Sequence, residues 1–365
     1  MRFHSDAFKN QCSAYFNVFI YIILAILIFS FLLVYPVHSV PFISKAKEIE
    51  LGRSADKDIV RQYGIYQDKA LQLYVNTIGQ TLVSKLVNKE FGQFYFKVVN
   101  SSEINAFALP GGYVYVTTGL LSALNNEAEL ASVIGHEIAH VTLHHGAKLM
   151  LRSIGSQLLT IGGVLANPKN AGELMAISSA AFQQINMDYG RDAELESDFQ
   201  GMLNSVEAGY HPYSMVNFLK NLRKQEIMSG QSYHGFQASH PETRERIIKA
   251  GNIASSLSRK YNTSVKNKNV YIKNLQGLVY GGKKHIKDRG RYKPKYLDFY
   301  IVKNGDTLQS ISNKFYHDNR RAYEIAVING LKENIALKEG FALKIIRDGF
   351  FDKGKSTSIK KHLVN

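Results

Sequence analysis

The chain has a single cysteine, Cys12, among 365 residues. That excludes a disulfide framework and any multi-cysteine zinc or iron–sulfur site, so a metal here must be held by histidines and carboxylates. No internal repeat is visible, and no helix-turn-helix or RNA-binding signature accompanies the basic charge. Nucleic acid is therefore not an expected partner. Acidic residues are scarce in one region. Residues 251–300 hold 12 Lys and Arg against Asp288 and Asp298, a local +10 out of a net +15. The excess is local and suits an anionic lipid, lipopolysaccharide or peptidoglycan surface. Apolar residues make up 45% of the chain and include 20 Phe and 21 Tyr, which excludes disorder over most of its length.

Residues 18–35 (VFIYIILAILIFSFLLVY) are apolar apart from Ser30 and two tyrosines, with Arg2 and Lys9 before them and a small-residue pattern around Val37-His38-Ser39 after. This predicts an export signal, or a membrane anchor if it is not cleaved, and hence an exported, periplasmic protein. Helical spacing predicts helices over 44–63 and 67–87, with Leu71, Val75, Ile78 and Leu82 on one stripe. Residues 94–99 read as a strand, and 104–117 as two strands bent at Pro110-Gly111-Gly112. Asn125 is the expected cap of a helix over 127–145, and 212–228 the next clear helix. The apolar segment 153–166 reads as core or as a lid. The basic stretch 251–297 reads as a linker or a small strand-rich extension.

Residues 136–140 read His-Glu-Ile-Ala-His. Four positions turn a helix about 400°, so His136 and His140 share one face and can grip one ion, with Glu137 beside them as a proton acceptor. Leu130, Val133, Ile134, Ile138 and Val141 make the surrounding helix apolar, which is the context that chemistry needs. A third ligand is expected in 191–198 (RDAELESD), where Glu194 and Asp198 face one way and Asp192 and Glu196 remain candidates. His144 and His145 read as helix-surface or outer residues, and Tyr210-His211-Pro212 as a helix-start turn.

Six stretches in order resemble the zinc metallopeptidase family that includes the CAAX prenyl proteases, and within it the bacterial periplasmic, beta-barrel assembly-enhancing branch. They are Glu50-Leu51-Gly52, residues 104–112, residues 126–131, HEIAHVTLHH, Glu194-x-x-x-Asp198, and Ser239-His240-Pro241 with Arg246-Ile247. The resemblance covers residues 45–250. It implies an α+β, mainly helical zincin-type (gluzincin) peptidase domain with a small sheet. It also implies one Zn²⁺ per chain on His136, His140 and Glu194, with Asp198 orienting a ligand. Asn105, Ala106 and Phe107 would form an edge strand for substrate. His240 would be a fourth ligand or a transition-state donor. Arg246 reads as a loop holder, an oxyanion stabiliser or a surface salt bridge. Residue 197 is Ser where the family prefers Ala, a small change.

Residues 299–347 resemble the lysin-motif (LysM) domain, a βααβ module that binds N-acetylglucosamine-containing glycans, through Val302, Gly305, Asp306, Thr307, Leu308, Ile311, Asn329, Leu337, Gly340, Leu343 and Ile345. The expected organisation is 1–39 leader or anchor, 40–250 peptidase, 251–297 basic extension, 298–347 LysM-like domain and 348–365 basic tail. The expected function is a cell-envelope zinc endopeptidase acting on misfolded or unassembled envelope proteins, with peptidoglycan as a partner. The alternative is a non-catalytic cell-wall scaffold with a structural zinc.

Overall fold

The computed structural model describes residues 44–87, 92–149, 189–229, 236–241, 244–280 and 295–352. The apolar run 18–35, the segment 153–166 and the tail beyond 352 lie outside them. Among the described residues no helix is long and apolar enough to cross a membrane.

The fold is α+β. Helices α1 (Lys45–Tyr63) and α2 (Lys69–Ser84) lead into a sheet of β1 (Tyr95–Val99), β2 (Ala106–Leu109) and β3 (Tyr113–Thr117). The predicted stripe of α2 is buried as expected. The strand order is β1-β3-β2, with β1 parallel and β2 antiparallel to the central strand. Thus β2 is an edge among the described residues. The turn at 110–112 joins β2 to β3, and Gly111 and Gly112 both hold positive φ there.

A short α3 (Thr118–Ala123) precedes α4 (Glu127–Thr142). The cap of α4 is Asn126, not Asn125: the Asn126 side chain accepts from the Glu129 N–H. Adjacent asparagines carry the same capping preference, and only backbone geometry chooses between them. Helix α4 is buried from Glu127 to Val141. Helix α5 (Arg191–Glu207) lies along it, followed by α6 (Ser214–Ser229), one turn of helix α7 (Phe236–Ser239) and α8 (Arg244–Lys260). Residues 251–260, expected as the start of a linker, are thus the second half of α8. Its buried stripe, Arg246, Ala250, Ala254 and Leu257, is narrow and includes an arginine, so the basic surface residues mask it. A further helix, α9 (Lys268–Leu275), and β4 (Val279–Tyr280) follow where a linker or strand-rich extension was expected.

The C-terminal region is β5 (Lys295–Ile301), α10 (Leu308–Tyr316), α11 (Ala322–Ile328) and β6 (Ala342–Asp348), with β5 and β6 antiparallel: the βααβ order. Thr307 caps α10 in a reciprocal capping box with Ser310. The period-2 alternation of the strands splits their side chains between two cores. Tyr300, Val302, Leu343 and Ile345 pack with Leu308, Ile311 and Ile325 of the module itself. Leu297, Phe299 and Ala342 pack into the core of the helical region. On that second face Lys344 is buried, its Nζ donating to the carbonyls of Ser122, Ala123 and Leu124 at 3.0, 3.2 and 2.8 Å. These residues, expected as a separate small domain, share a core with the rest.

Candidate metal centre

Two glycines set the distance between α4 and α5. A Cβ on Gly135 would meet the Gly201 carbonyl oxygen at 2.8 Å, and a Cβ on Gly201 would meet the His136 nitrogen at 2.6 Å. The backbones therefore run close enough for Glu194 and Asp198, on the α5 face turned to α4, to reach the histidines.

His136, His140, Glu137, Glu194 and His240 are each no more than 1% exposed. His136 Nε2 lies 3.0 Å from His140 Nε2 and 3.3 Å from His240 Nδ1. Glu194 presents Oε2 at 3.4 Å from His136, and Oε1 at 3.3 Å from His140 and 2.9 Å from His240. A tetrahedral ion with ligand bonds of about 2.0 Å puts its ligand atoms about 3.3 Å apart, which is the spacing seen.

The outer partners fix which nitrogens face inward. His136 Nδ1 stands 3.0 Å from Asp198 Oδ1, an acceptor only, so the ring proton belongs on Nδ1 and the lone pair on Nε2 points to the centre. His145 Nε2 faces Glu196 at 3.2 Å and so carries a proton, leaving its Nδ1 to accept from His140 Nδ1 at 3.1 Å. The His140 Nε2 lone pair then also points inward. Lone pairs 3.0 Å apart in a dry site repel unless positive charge lies between them. The donor set therefore fits a divalent metal.

Burial pulls the His136 pKa down, but Asp198 and Glu194 outweigh it and hold it at about 9. Burial, then the neighbouring His136 and His240, push His140 well below its ordinary value despite the Glu194 hydrogen bond. Burial would raise Glu194, but the three rings around it hold it well below the carboxylate range. Burial raises Glu137. Neither Glu137 oxygen has a hydrogen-bond partner among the described residues, and His240 Nε2 stands 3.3 Å from Oε1.

Arg246 is buried and locks the far side. Its Nε and Nη2 donate to the two Asp198 oxygens at 2.8 Å each, and Nη1 reaches Glu194 Oε2 at 2.9 Å. Nη1 also donates to the backbone carbonyls of His240 and Pro241 at 3.1 and 3.2 Å. One guanidinium thus ties Asp198 and Glu194 to the loop that carries His240.

Asn105, Ala106 and Phe107 lie in and before β2, and that edge is covered. The Phe236 N–H donates to the Ile104 carbonyl at 2.8 Å, Ser239 Oγ to Asn105 Oδ1 at 3.4 Å, and Tyr189 OH to the Ala108 carbonyl at 3.4 Å. Tyr189 stacks on His140 with centroids 4.0 Å apart, and Phe236 lies against His240 at 4.8 Å. Tyr189 and Phe236 were not expected from the sequence; each stands at least 47 positions from the motif helix, and nothing in the spacing marks them. Of the alternatives to Glu194, Glu196 turns to His145 and is half exposed, and Asp192 is exposed. His144 turns away to Glu48, 2.8 Å from its Nδ1. His211 accepts from the Tyr213 N–H in the turn before α6, as expected.

Residues 69–254, just over half of the chain, match the sequence pattern described as peptidase family M48. The chain belongs to peptidase family M48. Residues 300–345 match the LysM domain. Among M48 relatives, the chain is 30% identical over 222 residues to the Beta-barrel assembly-enhancing protease of Escherichia coli (strain K12), covering 59% of this chain and 45% of that one. It is 34% identical over 197 residues to the protein of the same name from Yersinia pestis, covering 52% and 40%. It is also 31% identical over 149 residues to the Mitochondrial metalloendopeptidase OMA1 of Arabidopsis thaliana, covering 41% and 29%. The chain spans less than half the length of each of these relatives.

Proposed function

We propose that this M48 protein is a zinc endopeptidase of the cell envelope, exported to the periplasm, that cleaves misfolded or unassembled envelope proteins. One observation carries the reading: a buried carboxylate, Glu137, without a hydrogen-bond partner among the described residues, beside four converging metal donors. His136, His140 and Glu194 would hold Zn²⁺, with Asp198 orienting His136. When bound, the ion would polarise the scissile carbonyl and acidify a water. Glu137, its affinity for protons raised by burial, takes the proton of the attacking water and delivers it to the leaving amine. The extended substrate pairs with the β2 edge through backbone hydrogen bonds, which suits unfolded chains of any sequence. For that, the Tyr189 hydroxyl and the 236–240 segment withdraw from β2. His240 acts as a fourth ligand in a resting state, and Arg246 holds its loop.

The names of the relatives support the protease part of this reading, and the words beta-barrel assembly in one of them suit an envelope substrate. The LysM match supports attachment to peptidoglycan, and the apolar run 18–35 supports export. A second reading, a scaffold with a structural zinc, draws on the burial of all four donors. It gives no use to a buried Glu137. Glu137→Gln is expected to abolish casein cleavage while elemental analysis still finds one zinc per chain. Undiminished turnover by that variant would remove Glu137 from the chemistry. Zinc bound with no cleavage by the wild type or by His240→Ala would favour the scaffold.

A further inference from the structure

Tyr189 is the side chain at the metal centre that the proposed chemistry leaves without a task. It stands just before Gly190, whose positive φ of 89° forms the turn into α5, so the helix that delivers Glu194 also fixes Tyr189. The residue is buried. Its ring stacks on His140, with centroids 4.0 Å apart and planes 28° apart, and lies 5.7 Å from the His240 ring. Its hydroxyl makes a single hydrogen bond among the described residues, to the Ala108 carbonyl at 3.4 Å. O–H···O bonds settle near about 2.7–2.8 Å, so this one is long and easily given up.

That bond is made where an added strand must pair. The Asn105 carbonyl accepts from the Thr117 N–H of β3, so strand alternation turns the carbonyls of Ile104, Ala106 and Ala108 to the outer edge. Phe236 covers the first and Tyr189 the last. A substrate strand brings its own N–H to Ala108 and so frees the hydroxyl. The freed group is a neutral O–H donor, because burial, then the nearby Glu137 and Glu194 carboxylates, push the phenol pKa well above its ordinary value. The other polar groups of the centre are committed. The carboxylates only accept. His136 and His140 turn their Nδ1 atoms outward to Asp198 and His145. Arg246 donates to Asp198, Glu194 and the carbonyls of His240 and Pro241. Among the described rings packed on His140, Tyr189 alone carries an O–H.

We propose that Tyr189 is a catalytic residue whose hydroxyl leaves Ala108 when substrate binds and donates to the scissile carbonyl oxygen as negative charge gathers there. The oxygen of the attacking water bonds to the carbonyl carbon, and the π electron pair moves onto the carbonyl oxygen. Glu137 holds the proton of the water and passes it to the nitrogen as the C–N bond breaks. Tyr189 keeps its own proton throughout and stabilises charge only. The inference rests on the endopeptidase reading and adds a donor engaged in the transition state but not in the resting enzyme, so its worth falls on kcat.

The test is Tyr189→Phe in the full, zinc-loaded chain, assayed on a fluorogenic casein-derived peptide. A fall in kcat of about 10²-fold is expected, with KM unchanged or lower because the Ala108 carbonyl has lost a competitor. Zinc per chain should stay at the wild-type value, because the ring still stacks on His140. Two titrations need no turnover. One uses a peptide whose scissile amide is replaced by a phosphinate, an imitation of the oxyanion; its affinity should fall about 10²-fold in Tyr189→Phe. The other uses the amide peptide in a Glu137→Gln background, where Tyr189→Phe should cause no loss. The ratio of these affinities decides even if the variant melts earlier. Phosphinate affinity that survives the change makes the hydroxyl only a plug on β2 and overturns the inference. Loss of zinc in step with turnover makes Tyr189 a support for His140 and overturns it too. Neither cleavage nor phosphinate binding by the zinc-loaded wild type overturns the endopeptidase reading itself.

Discussion

Arg246 and His240 sit six positions apart and do opposite things to the centre. Arg246 gives fixed positive charge to Asp198 and Glu194 and pins the loop backbone. Arg246→Met keeps much of the volume and removes the charge, leaving two buried carboxylates without their guanidinium. A loss of about 3–5 kcal/mol in urea unfolding is expected, with weaker metal retention against a chelator; Arg246→Lys should recover only part of both. In the proposed resting state His240 would instead close the site, because a fourth protein ligand leaves no open position on a tetrahedral ion. His240→Ala is expected to raise basal casein turnover while three ligands still hold the metal. A fall in turnover of roughly 10²–10³ would make His240 an oxyanion donor instead.

Helix pairing is the next level of control. The α4–α5 approach depends on two glycines without side chains between them, and it is this approach that carries Glu194 and Asp198 to His136. In Gly201→Ala the new methyl group would stand 2.6 Å from the His136 nitrogen and 2.8 Å from the Gly135 carbonyl carbon. The helices must part, at an expected cost of about 1–3 kcal/mol, and metal affinity should drop with stability. Gly251→Ala is the control. It lies within α8 with nothing within 4 Å of its added Cβ, so the same change there should gain up to about 1 kcal/mol from helix propensity. Thermal melts of the two variants, with and without metal, test the contrast.

At the level of the whole molecule, Lys344 joins the LysM sheet to the helical region. Burial lowers its pKa to about 7, against the pull of Glu129. Between that value and the ordinary lysine value of about 10.5, the unfolded chain binds a proton that the folded chain does not. Stability contributed through Lys344 therefore rises as pH rises from 7, and is lowest where the ammonium is fully charged. Lys344→Met removes this titration. Relative to that variant, the metal-loaded wild type should gain stability between pH 7 and pH 9 in urea titrations. A constant difference between the two across this range would mean that Lys344 titrates normally.

His136, Glu137 and His140 were legible from the sequence because helical periodicity by itself fixes which side chains share a face. The same local logic located α2 and the turn at 110–112. Glu194 and Asp198 were legible as a pair, but choosing them over Glu196 and Asp192 on residue spacing alone was not possible. That choice is made by which face of α5 meets α4, and two glycines 66 positions apart decide it. Tyr189, Phe236 and the Arg246 clamp belong wholly to the tertiary structure. Their partners are distant in the chain, and an aromatic or an arginine bears no local mark of the ring or carboxylate it will meet. The shared core of the LysM sheet was hidden for a related reason. A strand that is apolar at successive positions reads as buried on both faces, but only the folded chain shows that the faces are buried against different things.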